Sequence, residues 1–134
     1  MDVIEFRRNG DNLNGKAVVF INGVELARLW RQATRRGATP LLVSEVGGAL
    51  DLWGPYGGVS PSPFVADWVP EGSAPVLTCS RDDFGCGGAL IQINFDRPRL
   101  VTWRDFRTAN YEEPVDLGAF TFDRKQYETA RQKF

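Results

Sequence analysis

Alternating apolar and polar positions between residues 76 and 106 predict the centre of the fold. The segment 91–95 alternates isoleucine and phenylalanine with glutamine and asparagine, which is typical of a strand with one face in water. The segment 101–103 alternates in the same way until Asp105 interrupts the pattern, so we expect the strand to end or bulge there. Together with the apolar segment 74–79, these segments predict a three-stranded antiparallel meander.

Shorter apolar segments on both sides predict further strands. Residues 3–7 alternate as a half-buried strand, and the valine-rich segment 16–21 is expected to pair with it across a turn of Asn, Gly and Asp. Residues 41–46 and 120–122 predict two more short strands. The strands are therefore expected to form one antiparallel sheet.

After residue 22 the apolar positions recur with helical spacing, which predicts a helix over residues 23–36. Asn22 and Glu25 have the spacing of a capping box, and Gly37 follows as a stop signal. The alternative is a type I′ hairpin turn at Asn22 and Gly23. The expected apolar face consists of Leu26, Leu29, Trp30 and Ala33.

A second, short helix is predicted at the C-terminus. Asp123 and Gln126 have capping-box spacing, and Phe122 and Tyr127 are placed to pack across the helix start as a hydrophobic staple. The expected apolar stripe of this helix consists of Tyr127, Ala130 and Phe134.

These elements predict an α+β fold in a single domain over residues 1–134: an antiparallel sheet with a central meander, one helix near residues 23–36 and a short C-terminal helix. A hydrophobic fraction of 43%, with 9 Phe and 4 Trp among 134 residues, suits one domain with a substantial core. No segment has the pattern of a signal peptide or approaches the roughly 18 apolar residues of a membrane helix. We therefore expect a cytoplasmic protein without a membrane partner.

The chain contains no histidine, which removes Ser-His triads, Cys-His dyads and most catalytic zinc sites from consideration. Catalysis would have to use carboxylates, Tyr, Lys or Arg. In a cytoplasmic protein Cys79 and Cys86 are expected to be free thiols, although a bridge across their loop is sterically allowed. We expect no catalytic residue and no cofactor.

Cys79, Asp82, Asp83 and Cys86 invite comparison with a metal site. The two thiols are seven positions apart, whereas zinc ligands usually come in pairs two to four residues apart, and no third soft ligand accompanies them. The glycines at 85, 87 and 88 precede a strand rather than a helix, and the two aspartates would repel a phosphate group. Neither a metal site nor a phosphate site is predicted here.

A net charge of −1 gives no global attraction to nucleic acid or to a membrane surface. Arginines and aromatic residues interleave between residues 97 and 107, but acidic neighbours dilute this basic patch, so nucleic acid is not predicted as a partner. Asp105, Glu112 and Glu113 are interpreted as solvated surface. A carboxylate acid–base pair would require a defined separation across a cleft.

The segment 47–68 is rich in glycine, proline and aromatic residues, and it is long for a loop inside a compact domain. Its rings are interpreted as a binding surface for a partner or ligand. In the alternative interpretation the rings tuck under the loop and pin it to the sheet. The predicted partner contacts are Trp53, Tyr56 and Trp68, with Asp82 and Asp83 as a charged rim.

Several motifs in a fixed order resemble a family of small bacterial proteins of unassigned function. In chain order they are Ile21-Asn22-Gly23, GPYGGVSP at 54–61, the loop from Cys79 to Cys86, VTWRDF at 101–106 and FTFDRKQY at 120–127. The family loop reads C-x-C-G-x-x-G-C. Arg81 stands in place of its second Cys and Asp82 in place of its first Gly, so a metal-binding role of the family loop would lack a ligand here. The resemblance extends from about residue 18 onward. Proteins of this size and charge are similar to bacterial toxin-immunity and accessory proteins.

We therefore predict a non-enzymatic protein-binding module, of the bacterial immunity or accessory type, that masks a partner protein. The alternative is a small-ligand-binding protein or a carboxylate-dependent enzyme, with its site between the 47–68 loop and the sheet. Both predictions place the interaction on the aromatic loop rather than on the Cys loop.

Overall fold

The computed structural model describes residues 1–9, 16–35, 39–42, 73–78, 88–108 and 113–133. Within these ranges the protein is an α+β domain of antiparallel strands and two helices, as predicted. The strands are β1 (Ile4–Asn9), β2 (Lys16–Ile21), β3 (Val24–Glu25), β4 (Thr39–Leu42), β5 (Ser73–Thr78), β6 (Ala89–Arg97), β7 (Leu100–Thr108) and β8 (Phe120–Asp123). The helices are α1 (Leu26–Thr34) and α2 (Arg124–Gln132). Neither helix is long and apolar enough to cross a bilayer.

The strands follow the order β1-β2-β4-β5-β6-β7-β8, and β3 pairs with β2 outside this order. β4 joins the two halves of the sheet, because residues 41–42 pair with β2 whereas residues 39–40 pair with β5. At the other side, Asp2 and Phe122 form an isolated parallel bridge beside β1 and β8. The sheet therefore curls until its first and last strands are neighbours, which its natural twist permits.

One apolar cluster joins the strands to both helices. Tyr127 of α2 lies at its centre and is fully buried. Its ring centroid is 5.8 Å from the rings of Phe6 and Phe122 and 6.1 Å from those of Phe95 and Trp103. Aromatic pairs at these separations add to the stabilisation that comes from apolar burial. α2 is thus fixed to β1, β7 and β8 through the core.

The three-stranded meander is confirmed as β5, β6 and β7. The predicted irregularity at Asp105 is a bulge: Leu90 pairs with Arg107 but Gln92 pairs with Arg104, so β7 has one extra residue. Asp105 adopts a left-handed conformation with φ of 55°. The strand continues beyond this bulge to Thr108.

The start of α1 differs from the capping-box prediction. Asn22 and Gly23 have φ of 53° and 80°, and they connect β2 to β3, whose residues Val24 and Glu25 pair back onto β2. Two successive residues with positive φ are typical of a type I′ hairpin turn. The helix begins only at Leu26, and the Asn22 side chain does not cap it. The hairpin alternative is therefore correct.

The end of α1 also differs in detail. The helix ends at Thr34, and Arg35 takes the left-handed capping conformation with φ of 60°, before the expected stop at Gly37. Leu26 and Trp30 are buried as predicted, whereas Ala33 is exposed. The shorter helix therefore contacts the core mainly through its first two turns.

Candidate functional site

The residues predicted from the sequence to contact a partner lie outside the described residues. The same holds for both cysteines and for the aromatic loop 47–68 as a whole. This set comprises Trp53, Tyr56, Trp68, Asp82, Asp83, Cys79 and Cys86. Their contact role therefore stays a prediction. Within the part of the chain that the structure describes, no three His, Cys, Asp or Glu side chains come together as a metal site would require.

An open groove of about 520 Å³ lies between β1 and α2. One wall is the edge of β1 from Ile4 to Phe6, and the other is the face of α2 that carries Lys125, Thr129 and Lys133. The volume falls within the range of pockets that bind small ligands or short segments of another chain. We call this feature the β1–α2 groove.

Gln126 fixes α2 to the edge of β1 inside this groove. Its side-chain Oε1 accepts a hydrogen bond from Ile4 N at 3.2 Å, and its Nε2 donates to Ile4 O at 2.7 Å. The helix start is fixed separately, because the Asp123 carboxylate accepts from Gln126 N at 3.0 Å. Half of the predicted capping box is thus confirmed, but the Gln126 side chain pairs with Ile4 instead of reaching back to Asp123.

The lower part of the groove is apolar. Ile4, Phe6 and Ala130 line it, and each is less than a tenth exposed. Phe122 and Tyr127 pack beneath as the predicted staple, with ring centroids 5.8 Å apart. Because these side chains already lie in the core, they present only a small apolar surface at the bottom of the groove, and the stabilisation available from covering it is correspondingly small.

The rim of the groove is charged. On β1, Glu5 is paired with Arg7 at 2.9 Å, and the Arg7 guanidinium also lies 4.4 Å from the centre of the Phe20 ring. On α2, Lys125 and Lys133 are exposed, and among the described residues neither forms a salt bridge. Glu5 is therefore paired, whereas Lys125 and Lys133 have no ion-pair partner among the described residues. Asp123 also lines the groove and keeps its negative charge.

Asp2 stabilises the closure of the sheet next to the groove. Its carboxylate accepts from Asn22 Nδ2 and from Thr121 N, each at 2.9 Å, and Asp2 N donates to Thr121 O at 2.9 Å. The hydrogen bond from Asn22 is the largest influence on the pKa of Asp2. It lowers this pKa below its usual value, and the Thr121 amide acts in the same direction against the effect of burial. The carboxylate thus connects β8 to the β2–β3 turn.

Tyr127 is the other described group with a shifted pKa. Burial raises the pKa of its phenol above the usual range, so the hydroxyl stays protonated at neutral pH. Trp103 Nε1 donates to Tyr127 Oη at 3.1 Å inside the core. Tyr127 therefore packs beneath the groove, and its buried hydroxyl is not exposed as an acid or a base.

A smaller hollow of about 220 Å³ lies between the end of α1 and the segment after β7. Glu113 and Asp116 line it, and both are exposed. Thr108 fixes this segment, because Thr108 Oγ1 accepts from Glu113 N and Thr108 N donates to Glu113 O. The exposure of Glu113 agrees with its interpretation as solvated surface.

The interleaved arginines and aromatic residues of β7 do not form a binding platform. Trp103 and Phe106 are buried in the core, whereas Arg104 is exposed and lies 3.7 Å from Asp105. Base stacking would require the rings on the surface beside the positive charges.

The groove residues were not predicted from the sequence as a site. The spacing i, i+4 and i+8 places Lys125, Thr129 and Lys133 along one side of a helix. This grouping could have been predicted from the sequence. The contact of Gln126 could not have been predicted in this way, because its side chain pairs with the main chain of Ile4, which is far away in the sequence. Comparison with family models, curated protein sequences and solved structures finds no match for this chain.

Proposed function

We propose that this chain is a protein-binding module whose β1–α2 groove accepts a segment of a partner protein. The observation that carries the proposal is the combination of an open 520 Å³ groove, an apolar floor and a charged rim. A buried apolar centre with a polar periphery is the usual anatomy of a protein–protein contact. Gln126 joins α2 to β1, and Asp123 caps α2. Because the groove is therefore already formed, binding would require little rearrangement.

We further infer that the module masks its partner, as bacterial immunity and accessory proteins do. In this proposal the aromatic loop provides additional contacts through Trp53, Tyr56 and Trp68, with Asp82 and Asp83 as their charged rim. We expect Trp53→Ala combined with Tyr56→Ala to abolish partner capture while the circular dichroism spectrum stays unchanged. If partner capture survives this double change, the loop has a structural role.

The groove volume also suits a small organic ligand, so the β1–α2 groove is a second candidate ligand site beside the one predicted between the 47–68 loop and the sheet. Thermal-shift screening of the purified protein against a metabolite collection would identify such a ligand. A groove-filling variant should abolish that shift.

Selection of random peptides displayed on phage tests the proposed function directly. We expect the wild-type protein to enrich peptides that no longer bind after Thr129→Trp, because an indole at Thr129 fills the groove. Gln32→Trp is the matched control, since Gln32 is exposed on α1 and the change adds the same ring elsewhere. If enriched peptides bind wild type and Thr129→Trp equally, the groove is not the binding site.

A further inference from the structure

We propose that the partner segment in the β1–α2 groove is extended and acidic, with two carboxylates four residues apart. This inference rests on the proposed function and specifies the partner chemistry for the same groove. The feature that carries it is the pair of uncompensated lysines, Lys125 and Lys133, on one wall. Every other charge at the groove already has a role within the fold.

The acidic residues of the groove already interact with other groups of the protein. Glu5 accepts from Arg7, whose Nη2 is 2.9 Å and whose Nε is 3.0 Å from Glu5 Oε2. Asp123 caps α2 through Gln126 N. The cations of α2 differ in this respect, because Arg124 lies 3.4 Å from Glu128 whereas Lys125 and Lys133 have no such neighbour among the described residues. Asp123 keeps its negative charge as a cap, so the charges of the groove without an ion-pair partner are two lysines against one aspartate, which leaves a net positive charge.

The distance between the two lysines can be compared with the length of a bound segment. Eight helical residues separate them, which corresponds to a distance of about 12 Å along the α2 axis. An extended chain rises about 3.3 Å per residue, so residues i and i+4 are about 13 Å apart and point to the same side. A helical ligand would need carboxylates eight residues apart to span the same distance. An extended segment spans the lysine pair with only five residues.

The volume of the groove agrees with this length. An extended residue occupies roughly 160 Å³ at strand and sheet spacings, so 520 Å³ accommodates three to four residues between the two carboxylates. The residue at i+2 would face Thr129, which is exposed between the lysines. Residues i+1 and i+3 would face β1 and the exposed edges of Phe6 and Ala130 on the floor. The expected motif is acidic, apolar, small polar, apolar, acidic.

Fluorescence anisotropy with a labelled synthetic peptide tests this inference. The probe carries Asp-Val-Ser-Val-Asp between Gly-Ser flanks, and the comparison peptide carries Asp-Asp-Val-Ser-Val with the same composition. In the comparison peptide the two carboxylates point to opposite sides of an extended chain. We expect the probe to bind roughly five- to thirtyfold more tightly than the comparison peptide, and its binding to weaken as salt is raised.

The matched variants reverse charge on either helix. Lys125→Glu with Lys133→Glu should weaken probe binding by roughly the same factor. Arg28→Glu with Arg31→Glu changes the net charge equally on the exposed side of α1 and should change probe binding less than twofold. A peptide with Lys in place of both Asp should in turn prefer the doubly reversed variant. Equal binding of the probe and the comparison peptide, or equal weakening by the α1 control, would overturn the acidic motif.

The two proposals fail separately. If display selection yields peptides that depend on the groove but lack acidic residues at i and i+4, the acidic motif is wrong while the binding module stands. If no selected peptide responds to Thr129→Trp, the groove itself is not the site. If Lys125→Glu with Lys133→Glu changes the affinity for the acidic probe by twofold or less, the acidic motif is wrong, whatever the display selection yields.

Discussion

Gln126 takes the place of a neighbouring strand beside Ile4. Its amide donates to Ile4 O at 2.7 Å and accepts from Ile4 N at 3.2 Å, although 122 residues separate the two positions. A hydrogen-bonded residue pair in an antiparallel ladder exchanges the same two bonds. A side chain thus satisfies main-chain groups at the edge of β1, and the same contact sets the width of the groove.

Removing this amide should destabilise the protein. We expect Gln126→Ala to lower the free energy of unfolding by roughly 1–3 kcal/mol, because the polar groups of Ile4 lose their partner in a part-buried position. Urea unfolding at pH 7 measures the change. Gln32→Ala on the exposed side of α1 is the control and should stay within about 0.5 kcal/mol of wild type. Equal effects of the two changes would contradict the strand-like role of Gln126.

The Asp2 carboxylate should give the protein a specific sensitivity to acid. Its pKa is lowered chiefly by the hydrogen bond from Asn22. Its contribution to stability is therefore complete above the unfolded pKa of about 4 and is lost as the pH falls through the folded value. We expect Asp2→Ala to be roughly 1 kcal/mol less stable than wild type at pH 7, with the difference shrinking toward pH 2.

Urea unfolding at a series of pH values tests this expectation. Asp116→Ala removes an exposed carboxylate that lines only the small hollow, and it should match wild type at pH 7 within about 0.5 kcal/mol. A difference between Asp2→Ala and wild type that stays constant from pH 7 to pH 2 would show that the carboxylate charge is not responsible.

Local sequence signals predicted most of the described fold. Alternation gave the meander, and the interruption at Asp105 gave the bulge, because both depend on neighbours within a few residues. Asp123 was recognised as a helix cap for the same reason. The turn at Asn22 and Gly23 was assigned wrongly to a helix cap, since its residues suit both a cap and a hairpin and the helical spacing that follows favoured the cap. The pairing of β3 with β2 decides between them, and that pairing is a tertiary contact.

The candidate site was less predictable than the fold. The groove exists because the curled sheet brings β1 beside α2, and no local pattern encodes that closure. Gln126 illustrates the limit: its spacing from Asp123 suggested a reciprocal cap, whereas its side chain pairs with Ile4. The lysines of α2 could have been grouped from their helical spacing. Their opposite wall could not have been identified without the structure.

The hydrogen bond between Trp103 and Tyr127 should be measurable in the core. Tyr127→Phe retains the ring contacts but removes the oxygen that accepts from Trp103 Nε1 at 3.1 Å. We expect a loss of roughly 1–3 kcal/mol in urea unfolding at pH 7. A double-mutant cycle with Trp103→Phe should show a coupling energy of at least about 0.5 kcal/mol. Additive effects of the two changes would contradict a direct interaction.

The same hydroxyl should influence stability at high pH. Because burial raises the pKa of Tyr127, the fold favours the protonated phenol, and its stabilisation is lost as the pH rises above the unfolded value of about 10. The stability difference between wild type and Tyr127→Phe should therefore shrink above pH 10. Absorbance at 295 nm should show that Tyr127 ionises only as the protein unfolds. Reversible ionisation of every tyrosine in the folded state would contradict this expectation.

The left-handed conformation of Asp105 should make its position sensitive to residue shape. With φ of 55°, a β-branched side chain is strained there, so Asp105→Val should cost roughly 1–2 kcal/mol, whereas Asp105→Gly should be neutral or stabilising. Asp105→Asn is the matched control, because it removes the same exposed ion pair with Arg104 at 3.7 Å while asparagine tolerates positive φ. Urea unfolding compares the three variants. If Asp105→Asn and Asp105→Val lose the same stability, the ion pair rather than the bulge conformation determines the effect.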